Sequence, residues 1–170
     1  MPCSPYKWKE MKEELKVKFM REAIALSVRS ARIGGGPFGA VVVKDGKIIA
    51  RGENRVVRKN DPTAHAEIIA IRQAASRLHT HDLTGCTMFS SSQPCPMCLA
   101  AIYWANMDAI YYAATCEDAS SAGFRDEYLV YELKKEPENR EKPEEHMVSL
   151  RQEAGEAFRI WKEDENRKEY

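Results

Sequence analysis

The chain has 170 residues, 44% of them apolar and 31% charged, with 26 Lys and Arg balanced by 26 Asp and Glu. A chain of that length supports one domain with a hydrophobic core that needs no disulfides to fold, and a net charge of zero counts against a nucleic-acid backbone as principal partner. Five cysteines, two of them in Cys95-Pro96-Met97-Cys98, do not make a disulfide framework, and no apolar run suits a signal peptide or a membrane span, so a reduced, cytoplasmic protein is expected.

Residues from about Met11 to Ile33 are predicted to form an amphipathic helix, with Leu15, Phe19, Ala23 and Leu26 at helical spacing. Gly34-Gly35-Gly36-Pro37 ends it. The glycine run lacks a following Gly-Lys-Ser/Thr and leads into a strand, so it reads as a turn and not as a phosphate loop. Phe38 to Lys44 and Lys47 to Gly52 flank Asp45-Gly46, the signature of a β-hairpin. A polar loop from Asn54 to Thr63 precedes a second helix, about Ala64 to Leu78. Thr87 to Ser90 is the third strand, a third helix opens at Pro94-Cys95-Pro96, and Ala109 to Ala114 is the fourth strand. Nine of the twelve residues from Lys134 to Glu145 are charged, a solvated loop. Met147 to Leu150 is expected as a short fifth strand and Glu153 to Asn166 as a last helix. This order predicts a sheet covered by helices on both faces.

Chemistry concentrates in His65-Ala66-Glu67 and Pro94-Cys95-Pro96-Met97-Cys98. One imidazole and two thiolates supply three ligands for a catalytic zinc, whose fourth position is kept for water. Their two negative charges offset the metal's, which suits the activation of water near neutral pH. Both groups fall at predicted helix starts, where the dipole favours thiolate and proline costs little. Glu67 is not needed as a ligand and is placed to carry a proton from water to a leaving nitrogen. His-x-Glu with Pro-Cys-x-x-Cys is the general pattern of zinc deaminases. A closed structural site would need a fourth ligand from Cys86, Cys116, His79 or His81. None of these completes a second Cys-x-x-Cys, and such a site would leave Glu67 without a role.

With Phe38-Gly39-Ala40-Val41, Asn54, Asp61-Pro62-Thr63-Ala64-His65-Ala66-Glu67 and Ala101-Ile102-Tyr103-Trp104-Ala105, these motifs resemble the cytidine-deaminase-like superfamily. Gly123-Phe124-Arg125-Asp126 and the closing Lys168-Glu169-Tyr170 point within it to the bacterial-type guanine deaminases, over about residues 19–170. The resemblance implies a three-layer α/β/α sandwich with a mixed five-stranded sheet and one Zn2+ per chain. It implies conversion of guanine and water to xanthine and ammonia. It also implies a homodimer in which a C-terminal helix and tail, 151–170, complete the partner's site. Residues 1–170 would then be one deaminase domain behind an N-terminal tail, 1–10. Carried over by position, Asn54 would hydrogen-bond the base, Asp126 would accept from ring N–H groups, Phe38 and Trp104 would be aromatic walls, Ala66 would border the base, and Tyr170 would cover the pocket. Ser92 and Gln93 depart from the Cys and Glu that the family usually carries there.

Without the resemblance these residues read more plainly: Asn54 as a turn residue, Asp126 as part of a charged loop, Phe38 and Trp104 as core. Rival activities are deamination of guanosine, cytosine or another amino-heterocycle, or of adenosine in transfer RNA, which needs a basic groove and base flipping. A catalytically silent zinc scaffold is the rival outside enzymes, and the intact Glu67 argues against it.

Overall fold

The computed structural model describes residues 11–169, so the N-terminal tail 1–10 and Tyr170 lie outside the described residues. The chain divides into two compact units, one ending at Glu127 and the other beginning at Tyr128.

The first unit opens with α1, Glu13–Arg32, which carries acidic residues in its first turn and Arg29 and Arg32 in its last, as the helix dipole favours. Gly34, at φ 79°, turns the chain out of it. β1, Gly39–Lys44, and β2, Lys47–Glu53, form the expected hairpin. Asp45 and Gly46 both have positive φ, 49° and 69°, as a two-residue hairpin turn of right-handed twist requires. A register shift between Val42 and Val43 leaves Ile49 as the extra residue of a bulge. The polar loop that follows contains a short helix, α2, Val56–Lys59. Then come α3, Ala66–Leu78, β3, Cys86–Ser92, α4, Pro96–Trp104, and β4, Ala109–Ala114. α5, Cys116–Ser121, starts at a Thr115–Asp118 capping box, and α6, Asp126–Lys134, crosses the unit boundary.

The sheet has the order β2-β1-β3-β4, with β3 and β4 parallel and the other pairs antiparallel. It is therefore mixed, as expected. Strand alternation sorts its two faces. Val41, Val43 and Phe89 pack on Phe19 and Ala23 of α1, while Ala40, Val42, Ala50 and Met88 pack on Ala66, Ala70 and Ala74 of α3 and Ile102 of α4. This gives the three α/β/α layers. The approach on the second face is close: a Cβ on Gly52 of β2 would lie 1.9 Å from the Ala66 carbonyl oxygen. Glycine at 52 lets the start of α3 rest on the end of β2.

Among the described residues the sheet has four strands, not five. Val148–Leu150, inside the segment expected as the fifth strand, is a 3₁₀ turn that runs directly into α7, Arg151–Glu163. Three residues butted against a helix start tighten into its first turn instead of extending. α5 and α6 were not anticipated either. Among the described residues, no helix is long and apolar enough to cross a membrane.

Candidate active site

The site gathers at the ends of the central strands, where α3 and α4 begin. His65 is the N-cap of α3 and Cys95 the N-cap of α4, and Cys98 sits one turn into α4, so both ligand groups occupy helix starts as the sequence predicts. His65 Nδ1 lies 3.6 Å from Cys95 Sγ and 3.5 Å from Cys98 Sγ, and the three donor atoms all lie within 4.8 Å of one another. Tetrahedral zinc, with bonds of about 2.3 Å to sulfur and about 2.0–2.1 Å to nitrogen, sets N···S edges at about 3.5–3.6 Å. The donor set and its spacing therefore fit one zinc ion.

Without metal the two cysteines share one proton. Hydrogen bonds from Cys98 and His65 bring the Cys95 thiol down to about 4, and the same pairing with Cys95, helped by burial, pushes Cys98 well above the usual thiol range. The Cys95 thiolate in turn raises His65. Cys95 is already ionised, and Cys98, with any His65 that carries a proton, must lose it to receive a cation.

Glu67, in the first turn of α3, is 5% exposed. Its Oε1 accepts from the Ser90 hydroxyl at 3.0 Å and its Oε2 from the Cys98 thiol at 3.4 Å. Burial raises its proton affinity above the ordinary carboxylate range. Such a group can both take a proton from water and surrender it to a more basic nitrogen.

His65, Cys95 and Glu67 open into a cavity of about 220 Å³. Phe38 and Phe124 meet edge to face at 4.7 Å along one side of it. Asn54 follows β2 and is buried, and Asp126 opens α6; both line the cavity, with Gly36, Val56, Val57 and Gln93. Burial, and then the Cys95 charge, raise Asp126 above the usual range. Gln93 is exposed at its side chain, and its N–H donates to Ala114 at 2.8 Å.

The structure thus brings His65, Cys95, Cys98, Glu67, Asn54, Asp126 and Phe38 together. Trp104, at the end of α4, is 67% exposed and is not among the cavity-lining residues; Ala66 is wholly buried under Gly52. Tyr170 lies outside the described residues. Sequence reasoning missed Ser90 and the role of Phe124 as a wall. Ser90-Ser91-Ser92 was the available signal for the first: three hydroxyls in a buried strand beside a metal motif each need a partner.

The model of the cytidine and deoxycytidylate deaminase zinc-binding region matches residues 13–114. Guanine deaminase of Bacillus subtilis (strain 168) is 46% identical over 153 residues, which span 89% of this chain and 97% of that protein. A tRNA-specific adenosine deaminase of Aquifex aeolicus is 38% identical over 96 residues, 56% of this chain and 64% of that one. An X-ray structure of the Bacillus subtilis guanine deaminase matches with a TM-score of 0.87 at 45% identity, covering 94% of this chain and 99% of the other. A structure of a guanine deaminase from Nitrosomonas europaea matches with a TM-score of 0.62 at 34% identity, covering 71% of this chain and 66% of that one.

Proposed function

This chain belongs to the cytidine and deoxycytidylate deaminase zinc-binding family, and we propose that within it the chain hydrolyses guanine to xanthine and ammonia. One observation carries the choice of base: Asp126 and Asn54 line the same cavity as Glu67, His65 and Cys95. Guanine presents donors, N1–H and the amine, on one edge and acceptors, O6 and N7, on another. A carboxylate answers the first edge and a side-chain amide the second. A base that lacks those groups would leave buried polar atoms unpaired. The likeness to guanine deaminases over nearly the whole chain supports the same reading.

His65, Cys95 and Cys98 would hold the zinc, which when bound acts as a Lewis acid and makes water acidic enough to ionise near neutral pH. The remaining steps belong to the chain. Phe38 and Phe124 together wall one side of the flat base, Asp126 accepts from N1–H, and Asn54 fixes the opposite edge. Glu67 takes a proton from the water that attacks C2 and passes it to the ring. It then takes the remaining proton from the new C2 hydroxyl and delivers it to the amine as the C2–N bond breaks and C2=O forms, so that xanthine and ammonia leave in balance. Ser90 holds the Glu67 oxygen that would otherwise be free to rotate away.

The same reading makes residues 1–170 one deaminase domain of a cytoplasmic homodimer, with 151–170, Tyr170 included, completing the partner's site. Phe158 and Ile160 of α7 are 71% and 57% exposed, apolar surface of the kind that a second copy covers. A monomeric mass at micromolar concentration would remove that part of the proposal.

Ammonia release by the zinc-loaded protein decides the substrate. The panel is guanine, guanosine, adenine, cytosine and a tRNA anticodon stem-loop, with Glu67→Ala as control. Turnover of guanine that disappears in the control is expected. Turnover confined to the stem-loop would transfer the chemistry to adenosine in RNA, and silence throughout would leave a zinc scaffold.

A further inference from the structure

The glycine run that reads in the sequence as a plain turn lies against Asn54. The Gly36 N–H donates to Asn54 Oδ1 at 3.3 Å, and the Val56 N–H donates to the same oxygen at 3.2 Å. Backbone N–H groups only donate, so the atom that faces both is the amide oxygen. The Asn54 NH2 is then the group left to meet a ligand in the cavity that Gly36, Asn54 and Val56 line.

The backbone of Asn54 is held as firmly. Its carbonyl accepts from the Ser30 hydroxyl and from Arg58 Nη2, both at 3.1 Å, and its N–H donates to Phe38 at 3.0 Å. Arg58 is itself oriented by the buried Glu53, at 3.1 Å. Two glycines make room for this arrangement. A Cβ on Gly35 would lie 2.4 Å from Ser30 Oγ and 2.8 Å from the Asn54 carbonyl. A Cβ on Gly36 would have as its three nearest atoms those of the Asn54 amide, at 3.0 to 3.2 Å.

We propose that Gly35 and Gly36, with Arg58, form a cradle that presents Asn54 to the substrate as a hydrogen-bond donor. Gly36 is then a positioning residue that selects bases bearing an acceptor on that edge. The identity of the base, a purine with O6 and N7, rests on the guanine reading above. The selectivity belongs to the cradle as well as to Asn54, because an amide turned over would offer an oxygen and reject the same acceptors.

Gly36→Ala isolates the effect. Gly36 has no left-handed φ, so alanine suits its backbone, and the added methyl meets the Asn54 amide first. kcat/KM for guanine should fall about tenfold, chiefly through KM, the loss expected for one neutral hydrogen bond. Two analogues read which atom is concerned: 7-deazaguanine lacks the N7 acceptor, and 2,6-diaminopurine replaces O6 with an amine. The preference of the wild type for guanine over one of them should collapse in Gly36→Ala. Arg58→Ala should show the same collapse more weakly, with recovery in Arg58→Lys, and this pair serves if Gly36→Ala does not fold. A second readout needs no turnover. The Asn54 side-chain NH2 pair in a ¹⁵N spectrum should be sharp in the ligand-free wild type and broadened in Gly36→Ala.

Equal losses on all three purines, or guanine turnover unchanged together with an unaltered Asn54 signal, would overturn the cradle. Absence of guanine turnover in the wild type would overturn the substrate reading instead, and the spectrum would then decide the cradle alone.

Discussion

The chain up to Glu127 and the chain from Tyr128 onward put their apolar atoms in different places. In the first, two clusters seal the faces of the sheet, and Phe89, Met88, Leu83 and Ile102 have almost no exposed surface. In the second, no described residue is buried, and Tyr131, Leu133, Val148, Phe158 and Ile160 are all more than half exposed. α7 still has the sequence of a two-faced helix, and its ion pairs, such as Arg159 with Glu163 at 2.8 Å, run along its own surface. The first region therefore draws its stability from packing that its own residues complete. The second has helices whose described apolar side chains stay largely exposed. Every described residue proposed for the chemistry falls in the first region.

The largest effect that follows is catalytic. Glu67→Gln keeps the size of the side chain and an oxygen for the Ser90 hydroxyl, yet removes the proton carrier. kcat should fall by about 10²–10⁴-fold with zinc content and melting temperature unchanged. A loss of zinc in that variant would mean that Glu67 is a ligand and would undo the separation of roles drawn from the geometry.

A smaller effect tests the packing of the first region. Gly52→Ala drives a methyl into the Ala66 carbonyl, one residue from both His65 and Glu67. Backbone against backbone cannot yield by rotation, so the unfolding free energy should drop by about 1–3 kcal/mol, the usual cost of overpacking. Zinc affinity should fall with it, because α3 must lift at its N-terminus. Unchanged stability in denaturant would show that the α3–β2 contact is looser than the structure has it.

What the sequence revealed does not divide along that line, since both regions hold elements that were legible and elements that were not. The α1 periodicity, the Asp45-Gly46 hairpin, the β3-α4-β4 crossover and the ligand trio were legible because local pattern and final packing agree there. The short α2 was not, since four residues between polar neighbours carry no periodicity. Nor were α5 and α6. Cys116–Ser121 has one buried residue, Ala119, and Asp126–Lys134 has none, so neither shows an apolar stripe over a core. Val148–Leu150, expected within a strand, instead tightens into a 3₁₀ turn at the start of α7. In the site, His65, Glu67, Cys95 and Cys98 announce themselves by chemistry. The surroundings of Asn54 do not, because the contacts come from Ser30, Gly36, Val56 and Arg58 on three separate elements and loops.

The titration of the ligand trio gives a further test within the first region. Cys95 is already a thiolate, whereas Cys98 and His65 hold their protons more tightly than usual in the metal-free chain. Metal uptake must displace those protons, so zinc affinity falls as pH falls. Calorimetry in buffers of different ionisation heat should find protons released on zinc uptake, and more of them at low pH, where His65 carries its proton, than at high pH. Uptake without proton release at either pH would contradict the ligand set.

The smallest expected effect probes the second region and can change sign. Gly155 stands inside α7, and a Cβ there would meet nothing within 4 Å. If that face stays open in solution, Gly155→Ala should strengthen α7 by about 0.5–1 kcal/mol, the difference in helix propensity. Hydrogen exchange would show it as slower exchange of the α7 amides, with the amides of the sheet unaffected. If a second copy packs closely over α7, the same methyl would intrude on it. Exchange in α7 would then quicken, and the dimer would dissociate at a higher concentration than the wild type. One substitution thus reports whether the exposed residues of α7 are a finished surface or half of an interface. Alanine is the appropriate probe because glycine differs from it by a single methyl, which at this position meets nothing within 4 Å.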